Sequence, residues 1–171
     1  MSNPKIKIIV DGFGEMCAEL YPEIAPITVE NFMNLVRAKF FDGLIFHRVI
    51  PGFMIQGGGF DTSFEQKEAK SIKGEFRANG IKNDLKHEKG VLSMARTSAP
   101  NSASSQFFIM HARSPHLDGH YAAFGKVYEG LEVIDKIATV PTTTRMYYYE
   151  NCPRKDVVIK TIEEIKEKWL R

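Results

Sequence analysis

The 171-residue sequence holds only two cysteines, Cys17 and Cys152, and a single tryptophan. The two thiols stand far apart and neither belongs to a C-x-x-C pair, so neither a zinc site nor a disulfide framework is indicated; both are expected to be buried free thiols. Long apolar runs are also missing. Nothing approaches an uninterrupted apolar stretch of about 18 residues, which excludes a bilayer-spanning helix and a membrane partner. The opening MSNPKIKIIV lacks a long apolar core and a small-residue cleavage site, so no secretory signal is expected and the cytoplasm is the expected location. No charge predominates either. With 23 Lys and Arg against 21 Asp and Glu, the net charge of +2 is too small and too dispersed for a nucleic-acid footprint. What remains, 43% hydrophobic and 26% charged residues, is the composition of a globular domain. The length predicts one domain over 1–171, expected to be monomeric, with room for one core.

The apolar periodicity begins in β form. KIKIIV at 5–10 and EMCAEL at 15–20 flank the turn Asp11-Gly12-Phe13-Gly14. Thr28 then stands as the expected cap of a helix whose stripe is Val29, Phe32, Met33, Val36 and Phe40. LIFHRV and FMIQ flank Pro51-Gly52, and Gly57-Gly58-Gly59 closes the second run. Residues 60–90 form a polar stretch longer than loops in compact domains generally run. Strand patterns return at GVLSMA, QFFIMH and YAAFGKV. Leu131, Ile134, Ile137 and Ala138 mark a second amphipathic helix, and DVVIKTIEEI a last strand. The closing EIKEKWLR, 164–171, reads as a helical turn, and 141–155, with Tyr147, Tyr148 and Tyr149, as an irregular surface loop. Eight short strands with two helices and few βαβ alternations predict a mainly β fold, a closed eight-stranded antiparallel barrel capped by two α-helices.

Three segments carry chemistry. In FHRVIPGFMIQGG, 46–58, strand alternation puts Met54 and Gln56 on one face and Ile55 on the other, with Arg48 opposed to His47 and Val49. The tight turn brings Arg48 near Phe53. An arginine beside phenylalanine, methionine and glutamine suits an amide flanked by a hydrocarbon ring, although an arginine snorkelling over core-edge residues has the same local pattern. In GVLSMARTSAPNSASSQFFIMH, 90–111, the adjacent Phe107 and Phe108 must face opposite sides, one inward and one into an outer groove. HLDGHYAAFG, 116–125, adds Leu117 and Tyr121 as groove walls. Other constellations fail. Pro115 and Gly119 make a turn of the His116-x3-His120 pair, so no metal is expected. The serines at 104–105 lack a G-x-S-x-G context, and the glycine runs miss the G-x-G-x-x-G spacing.

Together these three segments resemble the cyclophilins, a family of peptidyl-prolyl cis-trans isomerases. The resemblance runs through nearly the whole chain, and Met94-Ala95-Arg96-Thr97 is similar to the short bacterial-type members. It implies the barrel with two capping helices and a proline pocket on its outer surface. It also implies Arg48 as the catalytic residue and Phe53, Met54, Gln56, Ala95, Gln106, Phe108 and Leu117 as pocket lining, with Arg96 offering mainly its backbone. His116 stands where many members have tryptophan, which implies weakened cyclosporin affinity. Tyr121 replaces a frequent histidine but keeps an aromatic wall and a hydroxyl. No cofactor is implied, and the expected partners are proline-containing peptides and unfolded or partly folded proteins. The alternative reading is a proline-peptide binding or chaperone-like module with incidental isomerase activity. A third is an interaction protein acting through 60–90 or the tyrosine loop.

Overall fold

Strand β1 (Lys5–Val10) buries Ile6, Ile8 and Val10 and turns the residues between them outward, the alternation of a half-buried strand. A computed structural model describes residues 2–166 and continues this pattern through β2 (Gly14–Leu20), β3 (Arg48–Ile50), β4 (Met54–Gly57), β5 (Val91–Met94), β6 (Phe107–Met110), β7 (Ala123–Glu129) and β10 (Ile159–Glu164). These eight strands form one antiparallel sheet in the order β10-β1-β2-β7-β5-β6-β4-β3. Helix α1 (Pro26–Arg37) lies against β10, and α2 (Leu131–Ala138) against β2, β3 and β4. Inside the curl, Phe32, Phe41, Phe46, Phe107 and Phe124 are almost wholly buried, with Phe32 edge-on to Phe107 at 5.3 Å between ring centroids.

The expected closed barrel is corrected on one point: the curled sheet is an open half-barrel. Its edge strands, β10 and β3, form no ladder with each other. The chain crossing that seam makes an isolated bridge, Ile45 to Val158, and a backbone bond from Phe46 N–H to Val157 C=O at 2.9 Å. The Ile45 N–H is committed to the Phe60 carbonyl at 2.9 Å, and β3 pairs only with β4. Two more backbone bonds cross there, Gly43 N–H to the Ile159 carbonyl at 2.9 Å and Ile159 N–H to the Leu44 carbonyl at 2.8 Å, but they come from the segment before β3 and do not extend into a ladder between the edge strands.

Thr28 does not cap α1 from outside. The helix begins two residues earlier at Pro26, a residue suited to the first turn because its missing N–H has no partner there. The cap position is Ala25, which has no hydrogen-bonding side chain. The carboxylate of Glu75 replaces it, accepting from the N–H groups of Ile27 and Thr28 at 3.1 and 2.7 Å and from the Thr28 hydroxyl at 2.7 Å. An acidic group there also complements the positive end of the helix dipole. The 60–90 stretch is thereby sewn to the body. Asn83 Nδ2 donates to the carbonyls of Glu75 and Ala123, each at 2.9 Å.

Residues 141–155 also depart from expectation. They form a second antiparallel pair, β8 (Thr142–Arg145) and β9 (Tyr149–Pro153), rather than an irregular loop. Three successive threonines favour extended backbone. Met146 and Tyr147 turn the chain with φ of 52° and 70°. The pair packs beside β3. The helical turn expected over 164–171 lies, beyond residue 166, outside the described residues. Among the described residues no helix is long and apolar enough to cross a membrane.

Candidate functional site

Adjacent residues of β6 serve two faces, as alternation requires. Phe107 belongs to the inner core, whereas Phe108 joins Met54, Val91, Met110, Leu117 and Ala123 in a separate cluster on the outer face. On that cluster stands a cleft of about 170 Å³. Met54, Phe108 and Leu117 form its apolar floor, Phe53, Ala95 and Tyr121 its half-buried walls, and Arg48, Gln56 and Arg96 bring polar groups to the lip. Nine of the eleven residues expected at the site therefore surround one cavity. The other two lie next to it. Gln106 accepts from Gln56 Nε2 at 3.0 Å, and the exposed His116 ring stacks near Phe53 at 6.0 Å and 29°.

Register sets the position of the arginine. Across the β3–β4 hairpin Arg48 faces Gln56 rather than Phe53, which lies in the turn. Arg48 Nη1 donates to Gln56 Oε1 at 3.4 Å, so Gln56 links Arg48 to Gln106 through both ends of its amide. The glycine run allows this close approach. A Cβ at Gly57 would stand 2.7 Å from the Ile45 carbonyl oxygen, and one at Gly59 would collide with the Gln106 side chain. His47 adds no positive charge at neutral pH. Burial, helped by the neighbouring Arg48 charge, lowers its pKa to about 4.

The Arg96 side chain is occupied by the fold. Its guanidinium sits 4.6 Å from the Phe76 ring centroid and 4.7 Å from that of Tyr121, and it donates to the carbonyls of Thr97 and His120 at 3.0 and 2.6 Å. This steadies the Tyr121 wall and leaves the Arg96 main chain at the lip for a ligand.

Behind Phe108 lies a buried polar chain. His87 Nε2 is 2.8 Å from Ser93 Oγ, and its Nδ1 is 3.0 Å from Asp118 Oδ1, which also accepts from the His87 backbone N–H at 2.7 Å. Burial lowers the His87 pKa, while Asp118 pulls it the other way. For Asp118, burial acts to raise the pKa, but the hydrogen bonds from His87 outweigh it and the carboxyl titrates below its usual range. The atoms are ordered as in a hydrolytic triad, but Ser93 is fully buried and cannot meet a substrate. The network instead holds His87 parallel to Phe108, 6.0 Å between centroids and 18° apart.

A neighbouring cavity of about 180 Å³ shares Gln56, Ala95 and Arg96 with the cleft, is lined also by Gln106, and adds Gln66, Thr97, Ser102 and Ser104. None of those four was singled out from the sequence. Gln66 is one polar residue in a polar stretch, and only the bridge from Phe60 to Gln66 carries it to this edge.

With the geometry in view, comparison with known proteins is specific. The family profile described as "Cyclophilin type peptidyl-prolyl cis-trans isomerase/CLD" matches residues 5–164. A peptidyl-prolyl cis-trans isomerase of Acinetobacter baylyi is 47% identical over 156 residues, 88% of this chain and 80% of that protein. Peptidyl-prolyl cis-trans isomerase B of Escherichia coli is 42% identical over 157 residues, 87% of this chain and 93% of that protein. Among solved structures, a cyclophilin type peptidyl-prolyl cis-trans isomerase of Cryptosporidium parvum, crystallised in the presence of the dipeptide Ala-Pro, superposes with a TM-score of 0.81. It is 29% identical, and the match covers 95% of this chain and 99% of that one.

Proposed function

The chain belongs to the cyclophilin-type peptidyl-prolyl cis-trans isomerases, and on that premise we propose that its outer cleft holds a proline ring while Arg48 speeds rotation of the X-Pro bond before it. The observation that carries this reading is the placement of one guanidinium, braced by Gln56, at the lip of an apolar cleft floored by Met54, Phe108 and Leu117.

The barrier to be lowered is electronic. Amide resonance opposes rotation by ~18–20 kcal/mol, and uncatalysed X-Pro exchange takes tens to hundreds of seconds. At the half-rotated geometry resonance is lost, the proline nitrogen regains its lone pair and the carbonyl becomes ketone-like. A donor that meets the twisted amide better than the planar one lowers the barrier, each ~1.4 kcal/mol being worth tenfold. Arg48 is suited to this because its charge is permanent and its donors are held in a planar fork.

The remaining residues bind and orient. Phe53, Met54, Phe108 and Leu117 clamp the ring and exclude water, so the chain on one side of the bond is fixed while the other turns. Gln56, Gln106 and the Arg96 main chain hold flanking peptide groups, Ala95 and Tyr121 complete the wall, and His116 meets the chain leaving the cleft beside Phe53. No bond breaks, and no acid, base or nucleophile is needed. Turnover is therefore expected to stay flat between about pH 6 and 8.

The same reading makes proline-containing peptides and unfolded or partly folded proteins the substrates of a monomeric, single-domain enzyme. His116 in place of a large indole gives weakened cyclosporin affinity. A cytoplasmic location accords with the unpaired Cys17 and Cys152. The decisive experiment follows cis-to-trans relaxation of a proline peptide without a coupling protease. Wild type accelerates it, and Arg48→Ala loses about 100-fold or more of kcat/KM. An unassisted rate with wild type, or an unimpaired Arg48→Ala, overturns the proposal.

A further inference from the structure

A cavity of about 490 Å³, larger than the proline cleft, opens on the other side of Arg48 and Gln56. Its outer wall is the β8–β9 hairpin. Rings in mutual contact run along it: Tyr148 to Tyr149 at 4.7 Å, Tyr149 to Phe60 at 5.6 Å, and Phe60 to His47 at 4.7 Å, which ends one residue from Arg48. The far wall is made of the Gln56, Gln66 and Gln106 amides.

We propose that this cavity is a second subsite, built by the tyrosine hairpin, that takes an aromatic side chain next to the isomerised proline on one flank of the substrate. The proposal rests on the proline-cleft reading, because the two cavities share Arg48 and Gln56 and a peptide leaving one enters the other.

Four observations select that occupant. The ring series offers π faces and edges to an incoming ring, whereas the amide wall offers donors and acceptors to its peptide groups. Charge on the lining is balanced: Arg48 is opposed by Glu150, and His47 is neutral down to about pH 4, so neither an acidic nor a basic side chain is favoured. The wall is preorganised. Tyr149 packs edge-on against the stacked Phe60–Phe64 pair, and Arg145 lies 4.4 Å from the Phe64 ring centroid, which leaves Tyr148, packed on Tyr149 and 71% exposed, as the outermost ring with a face open to a ligand. Finally, His47 is 5% exposed and its Nδ1 is buried without a hydrogen-bond partner. The proton then belongs on Nε2, the nitrogen able to donate to a peptide carbonyl brought in with the aromatic residue. The opposite flank meets Thr97, Ser102 and Ser104 and has no such rings.

The test compares kcat/KM for three tetrapeptides, Ala-Ala-Pro-Ala, Ala-Ala-Pro-Phe and Ala-Phe-Pro-Ala, in wild type, Tyr148→Ser and Tyr147→Ser. Tyr147 is wholly exposed and outside the cavity lining. Wild type is expected to prefer phenylalanine over alanine about tenfold on one flank, equivalent to ~1.4 kcal/mol. Tyr148→Ser brings that ratio close to one, and Tyr147→Ser retains it. The inference is overturned by a wild-type ratio near one, by equal preference on both flanks, by a ratio insensitive to Tyr148→Ser, or by the same loss in Tyr147→Ser. Activity on the alanine peptide with any of those outcomes leaves the proline-cleft reading intact; no acceleration of any peptide sinks that reading itself.

Discussion

Arg48 and Gln56 face each other across the β3–β4 hairpin, and the Arg48 Nη1 donates to Gln56 Oε1 at 3.4 Å. That pairing separates two properties of the arginine, its charge and its aim. Arg48→Lys keeps the charge but replaces a planar fork with a flexible, more strongly hydrated ammonium. We expect kcat for an X-Pro peptide to fall at least tenfold in Arg48→Lys and about tenfold in Gln56→Leu, with KM changing less than threefold in both. Steady-state progress curves check this. An Arg48→Lys enzyme with wild-type kcat would show that charge alone suffices.

Glu75 caps α1 from 47 residues away, and both its oxygens are used. Glu75→Ala strips acceptors from two helix N–H groups and the Thr28 hydroxyl in a buried setting. The expected loss is about 2 kcal/mol of unfolding free energy. Glu75→Gln retains one acceptor and recovers part of it. Urea denaturation of the three proteins provides the comparison, and a loss in Glu75→Ala below about 0.5 kcal/mol would refute the capping role.

Both core imidazoles titrate low in the fold, His47 at about 4 and His87 depressed chiefly by burial. The unfolded chain takes up these protons near pH 6.5, before the native protein does. Stability is therefore complete above about pH 6.5, declines as pH falls through that value, and stops declining once the folded pKa is passed. For His47 the full difference is roughly 3 kcal/mol, of which about 2 is lost by pH 5. Urea midpoints measured at pH 7.5 and 5 should drop accordingly, and His47→Gln should flatten part of the decline. An unchanged slope in His47→Gln would locate the pH dependence elsewhere.

Local pattern carried the sheet and most of the cleft. The spacing of Ile6, Ile8 and Val10, the turn at Pro51-Gly52, and the opposed Phe107 and Phe108 follow from strand periodicity, and each appears where periodicity puts it. What sequence left hidden depends on contacts distant in the chain. Nothing near Thr28 announces Glu75 as its acceptor, and nothing in 60–90 shows that Gln66 reaches the glutamine pair. The β8–β9 pair was obscured for a different reason: its turn residues, Met146 and Tyr147, adopt positive φ without glycine or asparagine to signal it. The barrel seam is crossed by residues 43–46, which bond to 157–159 and, at Ile45, to Phe60, rather than by a β3–β10 ladder, an arrangement invisible in apolar spacing.

The division between Phe107 and Phe108 gives a last test of how fold and site are separated in one strand. Phe107 is fully buried and touches the rings of Phe32, Phe41 and Phe46. Phe107→Ala should lower stability by about 3–5 kcal/mol while the surviving folded enzyme keeps its KM. Phe108 is 5% exposed, forms the cleft floor and meets Tyr121 edge-on at 5.8 Å. Phe108→Leu retains much of the volume and should lose less than about 1.5 kcal/mol. It removes the flat surface proposed to lie under a proline ring, however, so KM should rise several-fold. Denaturation paired with kinetics on both proteins reads the split. If Phe108→Leu leaves KM unchanged, or Phe107→Ala raises it as much, the outward ring has no special part in holding proline.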